Sequence, residues 1–161
     1  MASIEAGASA LTGPVVFAYD GSELAALAIT QAGVQLAPGR EALVLCVWQP
    51  ADVGFVTPGD RRIDADQAPE VEKAAEEVAA QGAVLAESAG FRAESLAVWA
   101  APTWKGIVET ADERNASLIV MGSHCRRSGL MGRLVGSVAA AVVAHSTRSV
   151  LVVHQRDAEE G

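Results

Sequence analysis

Apolar residues come in two patterns along this chain, short unbroken runs and stretches where they recur every three or four positions. Each period predicts a different element. "PVVFAY" (Pro14–Tyr19) is a β-branched and aromatic run with turn residues behind it, which predicts a buried strand. Ser22 is placed to cap a helix running to about Leu36 and stopped by Pro38-Gly39. "EALVLCVW" (Glu41–Trp48) predicts the second strand. Pro69 opens a helix in which Val71, Ala75, Val78, Gly82 and Leu85 repeat at helical steps. "AESLAVWA" (Ala93–Ala100) is the third strand, and Pro102 starts a helix whose stripe of Trp104, Ile107, Val108 and Ala111 reads as core. "ASLIVMG" (Ala116–Gly122) is the fourth strand. A glycine-rich connection, a helix over Gly136–His145 and a fifth strand, "RSVLVVHQ" (Arg148–Gln155), complete the pattern.

Strands this continuously apolar are covered on both faces, so the alternation of strands and helices predicts an α/β fold built on an open parallel sheet. Residues 49–68 hold two prolines, two glycines and four aspartates and predict a long surface loop. That loop is no domain boundary, because the same pattern resumes after it. One domain is expected over residues 14–155, with a flexible N-terminus at 1–13 and a flexible tail at 156–161.

Composition narrows the partners. At 161 residues the chain is long enough for one buried core. Half of the residues are apolar and aromatics make up 4%, so alanine and valine must fill the interior. This favours close helix-on-sheet packing. A net charge of −8 argues against a nucleic-acid backbone or an anionic membrane as the partner. The acidic residues lie mainly between Asp20 and Glu94, whereas Arg126, Arg127 and Arg133 gather in the glycine-rich stretch and offer a local positive site. Two cysteines, Cys46 and Cys125, form no disulfide framework, and Cys46 reads as a packed residue. The opening "MASIEAGASALTG" lacks the basic start of a secretory signal, and no apolar run approaches the roughly 18 residues of a membrane span. The cytoplasm is the expected compartment.

In an open parallel sheet, ligands bind beyond the carboxyl ends of strands, where the strand order reverses. Two polar sequences occupy such ends, "YDGS" after the first strand and "GSHC" after the fourth. If those strands are neighbours, Asp20 faces the glycine-rich loop across a crevice. Gly136-Ser137 opens the last helix, whose unpaired amides and positive dipole end suit an anion. Gly129, Gly132 and Gly136 permit positive φ and close approach of backbone to a phosphate. The bland alternative is an ordinary connection that happens to be rich in glycine.

"VVFAYDGSELAALAI", the strand containing Val47, "SLIVMGSH", "LVGSVAAAVVAHS" and "VLVVH" occur in an order and spacing that resemble the universal stress protein family from Pro14 to His154. The resemblance implies a Rossmann-like sheet of the HUP type in the order 3-2-1-4-5, a homodimer joined near the last strand, and a cytoplasmic stress-response role. One branch of that family binds ATP through glycine, two residues, glycine, nine residues, then Gly-Ser or Gly-Thr. Carried onto this chain, Asp20 meets the adenine–ribose end with Ala18 beside it, and Val47 meets adenine through its backbone. Met121 and Gly122 follow, and Gly136, Ser137 and Val138 hold phosphates. ATP is the expected ligand, with ADP or AMP as alternatives and Mg2+ accompanying ATP. The chain departs from the motif at its middle glycine, where Cys125 stands, and ten residues rather than nine separate it from Gly136. A Cβ in a left-handed conformation costs roughly 1–2 kcal/mol. The extra residue leaves open that Ser128-Gly129 takes over the position.

Rival chemistries lack their parts. The lysines, Lys73 and Lys105, fall on predicted helix surfaces, so no P-loop lysine is present. Ser123, His124 and Cys125 are adjacent but have no acid placed to orient the histidine. His124, Cys125, His145 and His154 show no metal-ligand spacing. Cys125 beside Arg126 and Arg127 leaves a redox-sensing role open. Asp20 has capping of the first helix as its alternative, and the three arginines a solvated face; Trp48 and Trp99 read as packing residues. No catalytic residue is expected, and hydrolysis of ATP would be slow at most. Two functions remain, a nucleotide-binding regulatory protein and a nucleotide-free dimeric interaction protein.

Overall fold

The computed structural model describes residues 12–49, 68–123, 126–128, 132–134 and 137–155. Most of the expected flexible N-terminus, the tail over 156–161 and nearly all of the expected loop over 49–68 lie outside the described residues. In chain order the elements are β1 (Val15–Ala18), α1 (Glu23–Gln35), β2 (Glu41–Trp48), α2 (Ala68–Ser88), β3 (Arg92–Trp99) and α3 (Thr103–Glu113). They continue with β4 (Leu118–Ser123), β5 (Arg126–Ser128), β6 (Gly132–Leu134), α4 (Ser137–His145) and β7 (Ser149–His154).

Five strands form one parallel sheet in the order β3-β2-β1-β4-β7, so the expected 3-2-1-4-5 arrangement is present with β7 as its fifth strand. The connection after β4 adds something the hydrophobic pattern does not predict. β5 and β6 pair antiparallel as a separate ribbon, with Arg126 opposite Leu134, Arg127 opposite Arg133 and Ser128 opposite Gly132. Those six residues carry no apolar alternation, so no periodicity announces them as strands.

Side-chain alternation in the strands builds two cores. Val16, Leu43, Leu45, Ile119 and Met121 face α3 and α4, where Ile107, Ala111, Ala139 and Val142 meet them. Val15, Phe17, Val44 and Val120 face the opposite layer, against Ala28, Ile29 and Ala32 of α1 and Ala86 of α2. Phe17 meets Phe91 edge-on, with ring centroids 5.1 Å apart at 76°.

The local signals explain most element ends. Ser22 caps α1, its Oγ accepting from the Ala25 amide at 3.1 Å. The helix over 68–88 carries the predicted stripe on its core-facing side and adds Ala79 and Ala86 to it. Its buried positions are Ala75, Ala79, Gly82 and Ala86, while Val71, Val78 and Leu85 are half-buried. The smallest residues lie deepest because the helix rides close to the sheet: a Cβ at Gly82 would stand 2.6 Å from both the Tyr19 ring and Val44. The tryptophans also divide. Trp48 is buried, whereas Trp99, at the end of edge strand β3, is 57% exposed and does not serve as packing. Trp104 is half-buried and stacks on His145 at 4.1 Å and 19°, tying α3 to α4. Cys46 is buried, as its apolar run implies.

Candidate functional site

The strand order reverses at β1, with β2 on one side and β4 on the other. Chains leaving neighbouring strands to opposite faces of a sheet open a crevice above the strand ends. A cavity of about 280 Å³ lies there. Six of the expected site residues line it: Ala18, Asp20, Val47, Met121, Gly122 and Val138. Ser137 begins α4 immediately before Val138, and its side chain lies outside the described residues. Cys125, Gly129 and Gly136 lie outside them altogether.

The cavity floor is apolar, made by Ala18, Leu45, Ile107, Met121 and Ala139. Its polar lining is Asp20, Ser22, Thr103 and the buried Ser123. The strands' unequal lengths leave a stretch of β2 unpaired on its β1 side above that floor. β1 pairs with β2 only as far as Ala18 opposite Leu45, and the Tyr19 amide then donates to the Leu45 carbonyl at 2.9 Å. β2 continues to Trp48, whose carbonyl accepts from Ala100 at 3.2 Å, on the β3 side. Backbone groups in a strand alternate between neighbours with period two. The Val47 N–H and C=O therefore point the way Leu45 does, into the space past the end of β1. This is an adjacent donor and acceptor over an apolar slot.

Two glycines allow the walls to close in. A Cβ at Gly122 would lie 2.6 Å from Leu24 Cγ and 3.0 Å from the Leu24 carbonyl oxygen, so the start of α1 seats directly on β4. A Cβ at Gly106 would lie 2.7 Å from Ala100 Cβ and 3.0 Å from Val47 Cγ1, so α3 seats equally closely on β2. Asp20 has a double position. Its Oδ1 accepts from the Ser22 amide at 3.0 Å, bracing the turn through Gly21 at φ +82°, and its exposed carboxylate lines the cavity. The cap of α1 is Ser22, not Asp20. Val138 and Ala139 bring the first turn of α4 to the cavity wall, and the first turn of a helix carries amides without an i−4 partner and the positive helix end.

Of the residues considered for rival chemistries, Ser123 lines the cavity, His124 and Cys125 lie outside the described residues, and the two lysines stand elsewhere. Lys73 and Lys105 are exposed and neither lines the cavity, Lys105 pairing with Glu109 at 3.6 Å. Among the described residues no group of three or more His, Cys, Asp or Glu side chains is placed to hold a metal ion. Periodicity missed Thr103, which lines the cavity and accepts from Gln49 Nε2 at 2.6 Å. No local signal could have found that pair, since 54 residues separate its members.

The model of the universal stress protein family matches residues 12–154. No curated protein matches the chain. Among solved structures, the chain is similar to the hypothetical protein MJ0577, at 23% identity over 92% of this chain and 99% of that one, with a TM-score of 0.69. It is similar to a universal stress protein in complex with cAMP, at 25% identity over 89% of this chain and 98% of that one, with a TM-score of 0.59. It is similar also to the universal stress protein from Archaeoglobus fulgidus in complex with dAMP, at 22% identity over 88% and 98% of the two chains, with a TM-score of 0.55. A sheet of this order, a crevice at its reversal and a family match spanning nearly the whole described chain lead to one conclusion: the chain belongs to the universal stress protein family.

Proposed function

We propose that this protein binds an adenine nucleotide in the crevice at the ends of β1 and β4, and acts as a regulatory protein rather than an enzyme. The observation that carries the reading is the Val47 backbone pair over the apolar slot. Adenine presents a ring nitrogen that accepts beside an amino group that donates, the complement of an N–H beside a C=O. Guanine presents the reverse order and would set donor against donor. Ala18, Leu45, Ile107 and Met121 supply apolar surface for the ring faces. Asp20 accepts from the ribose hydroxyls. The first turn of α4 receives phosphate, where Ser137 adds a hydroxyl, and ATP is the occupant that reaches furthest along it. Relatives crystallised with cAMP and with dAMP support the adenine part of this reading. Asp20 is the one carboxylate among the described cavity residues, so Mg2+ would be held chiefly by the nucleotide's own phosphates.

Calorimetric titration with AMP, ADP and ATP tests the reading. Dissociation constants below about a millimolar are expected, or roughly −4 kcal/mol. Absence of heat and of any thermal shift with all three nucleotides would overturn it.

The proposal includes a homodimer through β7. That strand ends the sheet, bonded to β4 on one side. Val150 and Val152 pack toward α3 and α4, Leu151 and Val153 toward the opposite layer, and all four are half-buried. An apolar edge of this kind is normally covered. The sequence holds no carboxylate between Glu113 and Asp157, so β7 itself and the helix before it bring none to such an interface. Val152→Lys is expected to convert the dimer to monomer in light scattering, whereas a monomeric wild type would refute the interface.

A further inference from the structure

We propose that Thr103, held by Gln49, is a specificity-determining residue for the base, its hydroxyl donating to N7 of a 6-aminopurine. This rests on the adenine reading of the cavity and adds to it a side chain that reads the base.

Thr103 is the first residue of α3 and lines the cavity, with Ile107 one turn further along the same face. Its Oγ1 accepts a hydrogen bond from the Gln49 amide at 2.6 Å, a contact that joins the end of β2 to the start of α3. An oxygen that accepts from Gln49 turns its own proton away from it, and among the described residues the hydroxyl has no second partner. The hydroxyl proton is therefore available to a group in the slot that Thr103 lines.

Its place relative to Val47 selects the atom it meets. Gln49 follows Val47 by two residues, hence on the same face of the strand, and lies on the carbonyl side of Val47. Gly106 brings α3 into contact with Val47 itself. A base whose N1 accepts from the Val47 N–H and whose amino group donates to the Val47 C=O presents N7 next along its edge, toward Thr103. N7 is an acceptor and needs a donor, which the Thr103 hydroxyl supplies. The ligand class is a purine with both an amino group at position 6 and a nitrogen at position 7.

The test titrates AMP and 7-deaza-AMP into the wild-type protein and into Thr103→Val, Thr103→Ser and Gln49→Leu variants. Wild type is expected to bind AMP about tenfold more tightly than the 7-deaza analogue, the size of one hydrogen bond. Thr103→Val should bind the two alike, Thr103→Ser should keep the preference, and Gln49→Leu should narrow it. If AMP binds wild type with no preference, or Thr103→Val retains the full preference, the proposal fails while the adenine reading stands. If wild type binds neither compound, the reading of the cavity fails and takes the proposal with it. The Ser and Leu variants keep the result decisive should the valine variant not fold.

Discussion

A valine at Gly122 is expected to abolish binding of AMP and ATP and to destabilise the ligand-free protein by about 1–3 kcal/mol. The strand β4 passes so close to the start of α1 that an added Cβ would meet Leu24 Cγ at 2.6 Å, and a rotamer change could relieve that contact. It could not relieve the contacts with the Leu24 carbonyl oxygen at 3.0 Å and carbon at 3.2 Å, which belong to the helix backbone. Either α1 moves or β4 does, and both carry cavity walls: Leu24 and Ala25 on one, Met121, Gly122 and Ser123 on the other. Alanine at this position should act in the same direction with a smaller effect. Urea unfolding gives the stability term and calorimetry the binding term. A Gly122→Val protein that folds and binds AMP like wild type would show that the crevice is not the site.

Much of the fold was legible because each element's period agrees with its burial. The runs around Val15–Phe17, Ala42–Cys46 and Ile119–Met121 are unbroken because both faces of those strands are covered, and Ser22 caps α1 where its sequence position implied. Strand order is a different kind of information. Periodicity identifies elements but does not say which strands pair, so the order came from the resemblance to a known family. At α2 the period was legible but the depth ordering was not: the helix approaches so closely that alanine and glycine take the most buried positions, with Val71, Val78 and Leu85 packed beside them.

The candidate site divides along the same line. Asp20, Gly122 and Val138 sit at strand ends or helix starts, where local sequence marks them, and the cavity gathers them with Ala18, Val47 and Met121. Thr103 and Gln49 become a pair only when α3 packs over β2, and nothing in either neighbourhood announces it. The departure at Cys125 and the part assigned to Gly129 concern positions outside the described residues. The ribbon of β5 and β6 nonetheless places Ser128 opposite Gly132, so the chain between Ser123 and Ser137 contains paired backbone rather than a single open loop.

Replacing Asp20 by asparagine should weaken AMP binding by about ten- to a hundredfold and leave the melting temperature within about two degrees of wild type. The substitution separates two functions of one side chain. As a brace, Asp20 accepts from the Ser22 amide at 3.0 Å across the Gly21 turn, and the carbonyl oxygen of asparagine accepts equally well there. As a ligand contact, the carboxylate accepts from ribose hydroxyls, and hydrogen bonds to a charged acceptor are worth about 1.5–3 kcal/mol. Asparagine keeps one accepting oxygen but loses the charge and offers an N–H₂ where a second acceptor stood. Asp20→Ala removes both functions, so it should lose binding and also the turn brace, with a melting temperature lower by a few degrees, roughly what 0.5–1 kcal/mol produces in a domain of this size. The analogue 2′,3′-dideoxy-AMP completes the argument, because it lacks the hydroxyls. Wild type should bind it as weakly as Asp20→Asn binds AMP, and Asp20→Asn should lose little further on going from AMP to the analogue. Equal AMP affinity in wild type and Asp20→Asn would leave Asp20 as a turn brace alone and move ribose recognition to another part of the cavity.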